Sequence, residues 1–309
     1  MRWIDRDPHL VVQYGEPTRD ELVLFFHGNA QLPSNHYNVL SAAAYAGYRV
    51  LAVKTRSQPK PIEDCFDDYP YAYDACVNSM SRARLYGSEY GEFVDVDDED
   101  SVVARVYEAL VGLHVDSPED GWDAYFEPAP EGAVLHEEYV QWDRMIVSGF
   151  SQGAQKAALL AIEQRFDGVV LLSGPPDDAS WVRPGQTSTC VWWAFHHADE
   201  VWVDYQGYNY DILGFDEPVD HAVRPLPAET CGGDWPPYGG RHRFSSTLDP
   251  LAACPTRGPH GSMANDICMN VDSGYPSDPF TLFRPYLYAF CAAGEVDADR
   301  VTGECPPLL

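Results

Sequence analysis

One short motif in the sequence carries a side chain that could act as a nucleophile. Residues 149–153 read Gly-Phe-Ser-Gln-Gly, a Gly-x-Ser-x-Gly pattern centred on Ser151. In a sharp turn between a strand and a helix, the two glycines leave room for the serine, whose hydroxyl then stands above the edge of a sheet. Residues 144–148 predict the strand, and the alanine-rich residues 154–164 predict the helix. This context favours a nucleophilic Ser151, although the motif alone is a weak signal.

A nucleophilic serine requires a general base, which in turn is oriented by an acid. In a strand–turn–helix site of this kind the order along the chain is serine, acid, histidine. Asp199 stands a few residues after the predicted strand 189–195 and is the preferred acid. The alternatives in the same region of the chain are Asp177, Asp178 and Glu200.

The candidate base is a histidine that follows the acid and lies in a loop. The histidines beyond Ser151 are His196, His197, His221, His242 and His260. Only His260 follows the last predicted strand, 241–248, and its loop could reach back to Ser151. We therefore expect His260 to carry the proton from Ser151 to the leaving group, while Asp199 fixes its tautomer.

Acyl transfer through a serine also requires two backbone donors for the oxyanion. One is expected to be the N–H of Gln152, directly after the nucleophile, and the other to come from the loop after an early strand. That loop is His27-Gly28-Asn29. Asn29 is the preferred donor and Gly28 allows close approach, whereas His27 precedes Ser151 and is interpreted as structural.

This chemistry needs no cofactor. His196, His197 and Asp199 could be considered as metal ligands, but adjacent histidines on a strand point to opposite faces and do not easily bind one ion. We therefore predict no metal site.

The elements that must position these residues form a βαβ pattern. The apolar run 22–26 predicts a buried parallel strand, the segment 34–46 a helix, and the segment 49–53 a second strand. Further strands are expected at 166–173 and 189–195, with a closing helix over 279–292 that Pro285 should kink or shorten. The sequence predicts an α/β fold with a mostly parallel central sheet flanked by helices.

We expect one domain over residues 1–309, with insertions at about 55–100 and 200–258. The first insertion is rich in Pro, Asp and Tyr and is too long for an ordinary connection. The second is irregular and rich in aromatic residues, among them Trp202, Tyr205 and Trp235. These side chains either line an apolar substrate pocket or pack a small cap.

The formal net charge of the chain is −28, from 48 acidic and 20 basic residues. Nucleic acids and anionic membranes require clustered Lys and Arg, so neither is an expected partner. No apolar run is long enough to span a membrane. The oligomeric state does not follow from the sequence.

Eight cysteines are present and none forms a Cys-x-x-Cys pair, which favours disulfides over a zinc or redox motif. The preferred pairings are the local ones, Cys65–Cys76 and Cys291–Cys305, with the other four cysteines joining loops around the site. The cysteines indicate a secreted or periplasmic protein, although the chain shows no secretory signal. A cytoplasmic protein with reduced thiols is the alternative.

Together these residues resemble bacterial, often exported α/β-hydrolases. The similarity covers the His-Gly-x turn at 27–29, the helix-to-strand stretch at 43–50, the cysteine-bearing insertion and the elbow at 148–154. The elbow is also similar to that of cutinases and polyester-degrading esterases. The resemblance implies an α/β-hydrolase fold with a cap-like insertion.

The predicted activity is that of a serine hydrolase cleaving small or polymeric carboxylic esters. A peptidase, thioesterase or acyltransferase would use the same residues. A binding protein on a hydrolase fold is a further alternative, and an interaction protein inferred from acidic charge alone is the weakest.

Overall fold

The computed structural model describes residues 9–56, 60–130, 132–133, 136–177, 180–215, 218–220, 242–252, 254, 258–269 and 283–294. Within these residues eight strands form one sheet. The strands are β1 (Leu10–Val12), β2 (Leu22–Phe26), β3 (Arg49–Val53), β4 (Met145–Phe150), β5 (Gly168–Leu172), β6 (Trp192–His197), β7 (Val219–Asp220) and β8 (Arg243–Ser246). The α-helices are α1 (Tyr37–Tyr45), α2 (Pro61–Asp68), α3 (Tyr73–Tyr86), α4 (Val102–Asp116), α5 (Gln152–Glu163), α6 (Val203–Ile212), α7 (Gly258–Ser262) and α8 (Phe283–Ala293).

The sheet has the order β1-β3-β2-β4-β5-β6-β8-β7 and is mostly parallel. Only β1 runs antiparallel to its neighbour, β3. Every residue of β2 to β6 is buried, which is expected of parallel strands covered on both faces. The register pairs Phe26 with Gly149 and Gly149 with Leu171, so the carboxyl ends of β2, β4 and β5 meet at one edge.

Two groups of helices flank this sheet. Helices α1 and α8 pack against each other, while α3, α4 and α5 pack in a second group. Pro285 lies in the first turn of α8, where a missing N–H costs no intrahelical hydrogen bond. The predicted α/β fold with a mostly parallel, helix-flanked sheet is confirmed.

The structure also contains helices that the sequence pattern did not indicate. Helices α2 and α3 lie in the segment 55–100, and α6 lies in the insertion expected to be irregular. Their sequences are rich in Asp and Tyr and carry little apolar periodicity. Instead, a small satellite cluster of Cys65, Cys76, Val77 and Met80 holds α2 against α3.

Disulfides join several of these segments. Cys65 and Cys76 form the predicted local bond, with an S–S distance of 2.05 Å. Cys254 and Cys268 form a second bond, which encloses α7 in a loop with a sequence separation of 14. Cys190 and Cys291 are disulfide-bonded as well. The predicted Cys291–Cys305 pairing involves Cys305, which lies outside the described part of the chain. Cys231 lies outside it as well.

None of the described helices combines the length and the apolar character that crossing a bilayer requires.

Candidate active site

Ser151 lies in a sharp turn between β4 and α5. Its backbone has φ 56° and ψ −120°, a strained conformation for a residue with a side chain. A Cβ on Gly149 would lie 2.3 Å from the carbonyl oxygen of Gly153, and a Cβ on Gly153 would lie 2.0 Å from that of Phe26. Both glycines of the motif are therefore required by close backbone packing. The strand, the strained serine and the helix have the geometry of a nucleophile elbow on a mostly parallel sheet.

The chain has an α/β-hydrolase fold.

His260 lies in α7, after β8, and only 1% of its surface is exposed. Its Nδ1 lies 2.5 Å from Oε2 of Glu200. The imidazole packs edge-on against Trp202, with ring centroids 4.6 Å apart, and in a tilted arrangement against Phe150, with centroids 4.9 Å apart. Because Phe150 directly precedes Ser151, this packing places the histidine beside the elbow.

The other ring nitrogen of His260 remains available for chemistry. Nε2 is buried and has no hydrogen-bond partner among the described residues. Since Glu200 can only accept a hydrogen bond when ionised, it fixes the proton of His260 on Nδ1. Nε2 then carries a lone pair, which is the form a general base requires.

The acidic partner of this histidine is Glu200 and not Asp199, which the chain order favoured. Asp199 is exposed, and its backbone N–H donates to Nδ1 of His197. Glu200 is 2% exposed, and its Oε1 accepts the backbone N–H of His197 at 3.0 Å. The turn after β6 thus directs residue 200 inward and residue 199 outward.

The environment of Glu200 keeps its carboxylate ionised. Burial raises its pKa, but the hydrogen bond and the electrostatic interaction with the His260 side chain outweigh burial, so that the pKa lies below its usual value. Asp177, another alternative acid, is buried and binds other residues. Its Oδ2 accepts hydrogen bonds from Gln155 Nε2 at 2.9 Å and Trp181 Nε1 at 3.0 Å. Asp178 lies outside the described residues.

The loop after β2 approaches the same edge of the sheet. A Cβ on Gly28 would lie 2.9 Å from the ring of Phe150, so only glycine fits there without a shift. Asn29 follows it and is 6% exposed. The loop therefore lies against Phe150 and Gly153, the neighbours of Ser151 and Gln152, and its role as a source of oxyanion donors stays a prediction.

His27 holds that loop in place, as a structural interpretation of it requires. Nδ1–H donates to the carbonyl of Gly28 at 2.7 Å, and Nε2 accepts the N–H of Thr55 at 3.0 Å. Burial lowers the pKa of His27 well below its usual value, so the ring is neutral. Lys156 extends the network, because its Nζ donates to Thr55 Oγ1 at 2.6 Å.

Arg84 is a site residue that sequence reasoning missed. It lies on α3, and its Nη2 donates to Oε1 of Gln152 at 2.9 Å and to the carbonyl of Arg56 at 2.7 Å. Burial lowers its pKa to about 9. The guanidinium therefore anchors the side chain of the residue next to the nucleophile, and no local pattern in α3 indicates this role.

The aromatic residues of the second insertion divide between pocket and core. Trp202 and Tyr205 border a cavity of about 530 Å³ beside the site. Tyr210 and Phe215 instead stack on each other in the core. Trp235 lies outside the described residues.

No protein-family model matches the sequence, and no curated protein matches it. Solved structures show distant similarity. A phospholipase/carboxylesterase from Dyadobacter fermentans is 11% identical over 53% of this chain and 58% of its own, with a TM-score of 0.29. The chain thus covers little more than half of that protein's length.

Two further structures match over a longer part of the chain. The native Est2 esterase from Thermogutta terrifontis is 12% identical over 68% of this chain and 76% of its own, with a TM-score of 0.28. A lipase in its open form is 15% identical over 93% of this chain and 68% of its own, with a TM-score of 0.28.

Proposed function

We propose that the chain is a serine hydrolase that cleaves carboxylic esters through an acyl-enzyme, with Ser151 as nucleophile, His260 as base and Glu200 as acid. The observation that carries the proposal is the hydrogen bond between His260 Nδ1 and Glu200 Oε2, together with the unpartnered Nε2 beside a strained elbow serine. Glu200 takes this role in place of Asp199, the acid that the sequence favours, because Asp199 is exposed.

The reaction begins when Nε2 of His260 takes the proton of Ser151 as Oγ attacks the acyl carbon. The imidazolium that forms is stabilised by the ionised Glu200. The N–H groups of Gln152 and Asn29 donate to the oxyanion, which the first turn of α5 also favours. The C–O bond to the alcohol then breaks, and the alcohol oxygen takes the proton from Nε2.

Water completes the cycle in a second transfer through the same groups. Its proton passes to His260 as its oxygen attacks the acyl-enzyme, and the C–O bond to Ser151 breaks. The acid is released, and the serine hydroxyl recovers its proton. None of these steps requires a residue other than those at this edge of the sheet.

The test is labelling with a fluorophosphonate, which phosphonylates an activated serine, followed by rate measurements on p-nitrophenyl acetate, butyrate and octanoate. We expect the adduct on the peptide that contains Ser151 and turnover of at least one ester. Ser151→Ala should abolish both. Ser148→Ala is the matched control, because this nearby serine is buried in β4 and donates to the carbonyl of Val170.

Two outcomes would contradict the proposal in different ways. Absence of labelling in the wild type would remove Ser151 as an activated nucleophile. Labelling without turnover of any ester would retain the nucleophile and instead favour a peptide or thioester substrate.

A further inference from the structure

A cavity of about 530 Å³ adjoins the proposed catalytic residues. Trp202 forms part of its wall and also contacts the imidazole of His260. Pro176 forms another part and lies two residues after Gly174, where an added Cβ would lie 2.8 Å from the carbonyl oxygen of Ser151. A group attached to an ester bound at Ser151 can therefore reach this cavity.

Aromatic side chains from α2, α3 and the start of α6 line the cavity. Phe66 of α2 and Tyr205 of α6 are 70% and 47% exposed, and Tyr73 and Trp202 complete the set. Large aromatic rings that remain this exposed beside an active-site cleft indicate a binding surface. Their faces carry partial negative charge, which attracts cations.

The charged residues of the cavity are all acidic. Glu63, Asp67 and Asp177 line it, and none of its described lining residues is Lys, Arg or His. Glu63 and Asp67 are exposed and have no ion-pair partner within 4.0 Å in the described chain. Arg84 is the cation that interacts with Glu63, but it is buried and binds Gln152.

The position of Asp67 has no explanation in helix stability. Acidic residues in the first turn of a helix, such as Glu63, are favoured by the helix dipole. Asp67 lies in the last turn of α2, where the dipole disfavours a negative charge. Its neighbour Asp68 has the same unfavourable position but does not line the cavity.

We propose that this cavity binds the positively charged ammonium group of an ester substrate, an inference that rests on the proposed function. The aromatic faces provide cation–π contacts, and the carboxylates provide a negative potential at the mouth. An anionic group would be repelled by the same carboxylates. A neutral group would gain the apolar contacts but no electrostatic attraction.

The test compares esters that have the same shape and differ in charge. One pair is the p-nitrophenyl esters of 4-(trimethylammonio)butanoic and 5,5-dimethylhexanoic acids, with the charge on the acyl side. The other pair is acetylcholine and 3,3-dimethylbutyl acetate, with the charge on the alcohol side. Each kcat/KM is divided by the rate of hydrolysis by hydroxide, which removes differences in intrinsic reactivity.

We expect the charged ester of at least one pair to be preferred by about tenfold at low salt, and the preference to decrease as salt screens the carboxylates. Asp67→Asn should reduce this preference about threefold. Asp68→Asn should leave it unchanged, while both substitutions should raise the thermal stability slightly by relieving the unfavourable dipole interaction.

Equal effects of Asp67→Asn and Asp68→Asn would overturn the proposal, because the preference would then come from the overall negative charge. No preference in either pair would overturn it as well.

Failure of the proposed function gives a different result from failure of the cation site, because the wild type would then neither hydrolyse any ester nor react with the fluorophosphonate. In that event, isothermal titration calorimetry of tetramethylammonium binding tests the cavity as a cation site. Saturable binding that Asp67→Asn weakens and Asp68→Asn does not would support the cavity, and absence of binding would overturn it.

Discussion

At the scale of residues, two adjacent carboxylates after β6 differ completely in their surroundings. Both satisfy the chain order that the nucleophile elbow implies, and the sequence favours Asp199, which stands a few residues after a predicted buried strand. The turn of the backbone decides between them, since the N–H of His197 binds Glu200 and draws its side chain inward. Side-chain direction in an irregular turn has no signature in the spacing of residues. His260 is easier to predict, because its competitors precede the acid, lie in the insertion or lie in the predicted last strand.

Replacement of Glu200 provides the residue-scale prediction. Glu200→Gln should lower kcat for p-nitrophenyl butyrate by about a thousandfold, because the amide can donate to Nδ1 and stabilise the wrong tautomer of His260. Asp199→Asn should retain the wild-type rate, since that side chain is exposed. The measurement is steady-state kinetics, with circular dichroism to show that both variants are folded. A larger loss in Asp199→Asn than in Glu200→Gln would contradict the revised acid.

At the scale of elements, the sequence predicts what apolar patterning controls. The strands β2 to β5 and helix α5 are regular and buried, so their positions follow from their composition within a few residues. Helices α2, α3 and α6 are not predicted, because they depend on a disulfide and on contacts with distant segments. The same limit applies to Arg84, whose role depends on α3 packing near α5. Contacts between elements far apart in the chain are therefore where sequence reasoning fails.

The disulfide Cys254–Cys268 provides the element-scale prediction. It closes a loop with a sequence separation of 14 around the helix that carries His260. Replacing both cysteines by alanine should lower the free energy of unfolding by about 3 kcal/mol, the value expected for a loop of about 15 residues. It should also lower kcat, because His260 would lose part of its constraint.

The matched control is the double replacement of Cys65 and Cys76, which close a loop with a separation of 11. It should reduce stability similarly and leave the kcat for p-nitrophenyl acetate unchanged. Denaturant titration and steady-state kinetics test both variants. An unchanged kcat in the Cys254 and Cys268 variant would show that α7 keeps its position without the bond.

At the scale of the whole molecule, the net charge of −28 dominates the electrostatics. Mutual repulsion among so many carboxylates opposes the compact state. Raising NaCl from about 0.01 M to about 1 M shortens the screening length from about 30 Å to about 3 Å. We therefore expect the melting temperature at neutral pH to rise by about 5 °C over this range.

Differential scanning calorimetry in NaCl and in KCl measures this effect. Chloride salts are suitable because sulfate would also strengthen burial of apolar surface. Equal increases in the two salts are expected for simple screening. A flat or falling melting temperature would show that local ion pairs, such as Arg105–Asp100 at 2.7 Å, outweigh the overall repulsion.

The cavity wall has a consequence for how this protein can be altered. Phe66 and Asp67 belong to α2 and Tyr205 to α6. Both helices are separate from β4 and α5, the two elements between which Ser151 lies. In the proposed function, part of the substrate-binding wall thus lies on segments separate from the strand and helix that hold Ser151. We expect a library restricted to the exposed face of α2 to yield variants with new ester preferences at an undiminished rate of acyl transfer. The segment between β3 and α4 is therefore the natural place to begin directed evolution.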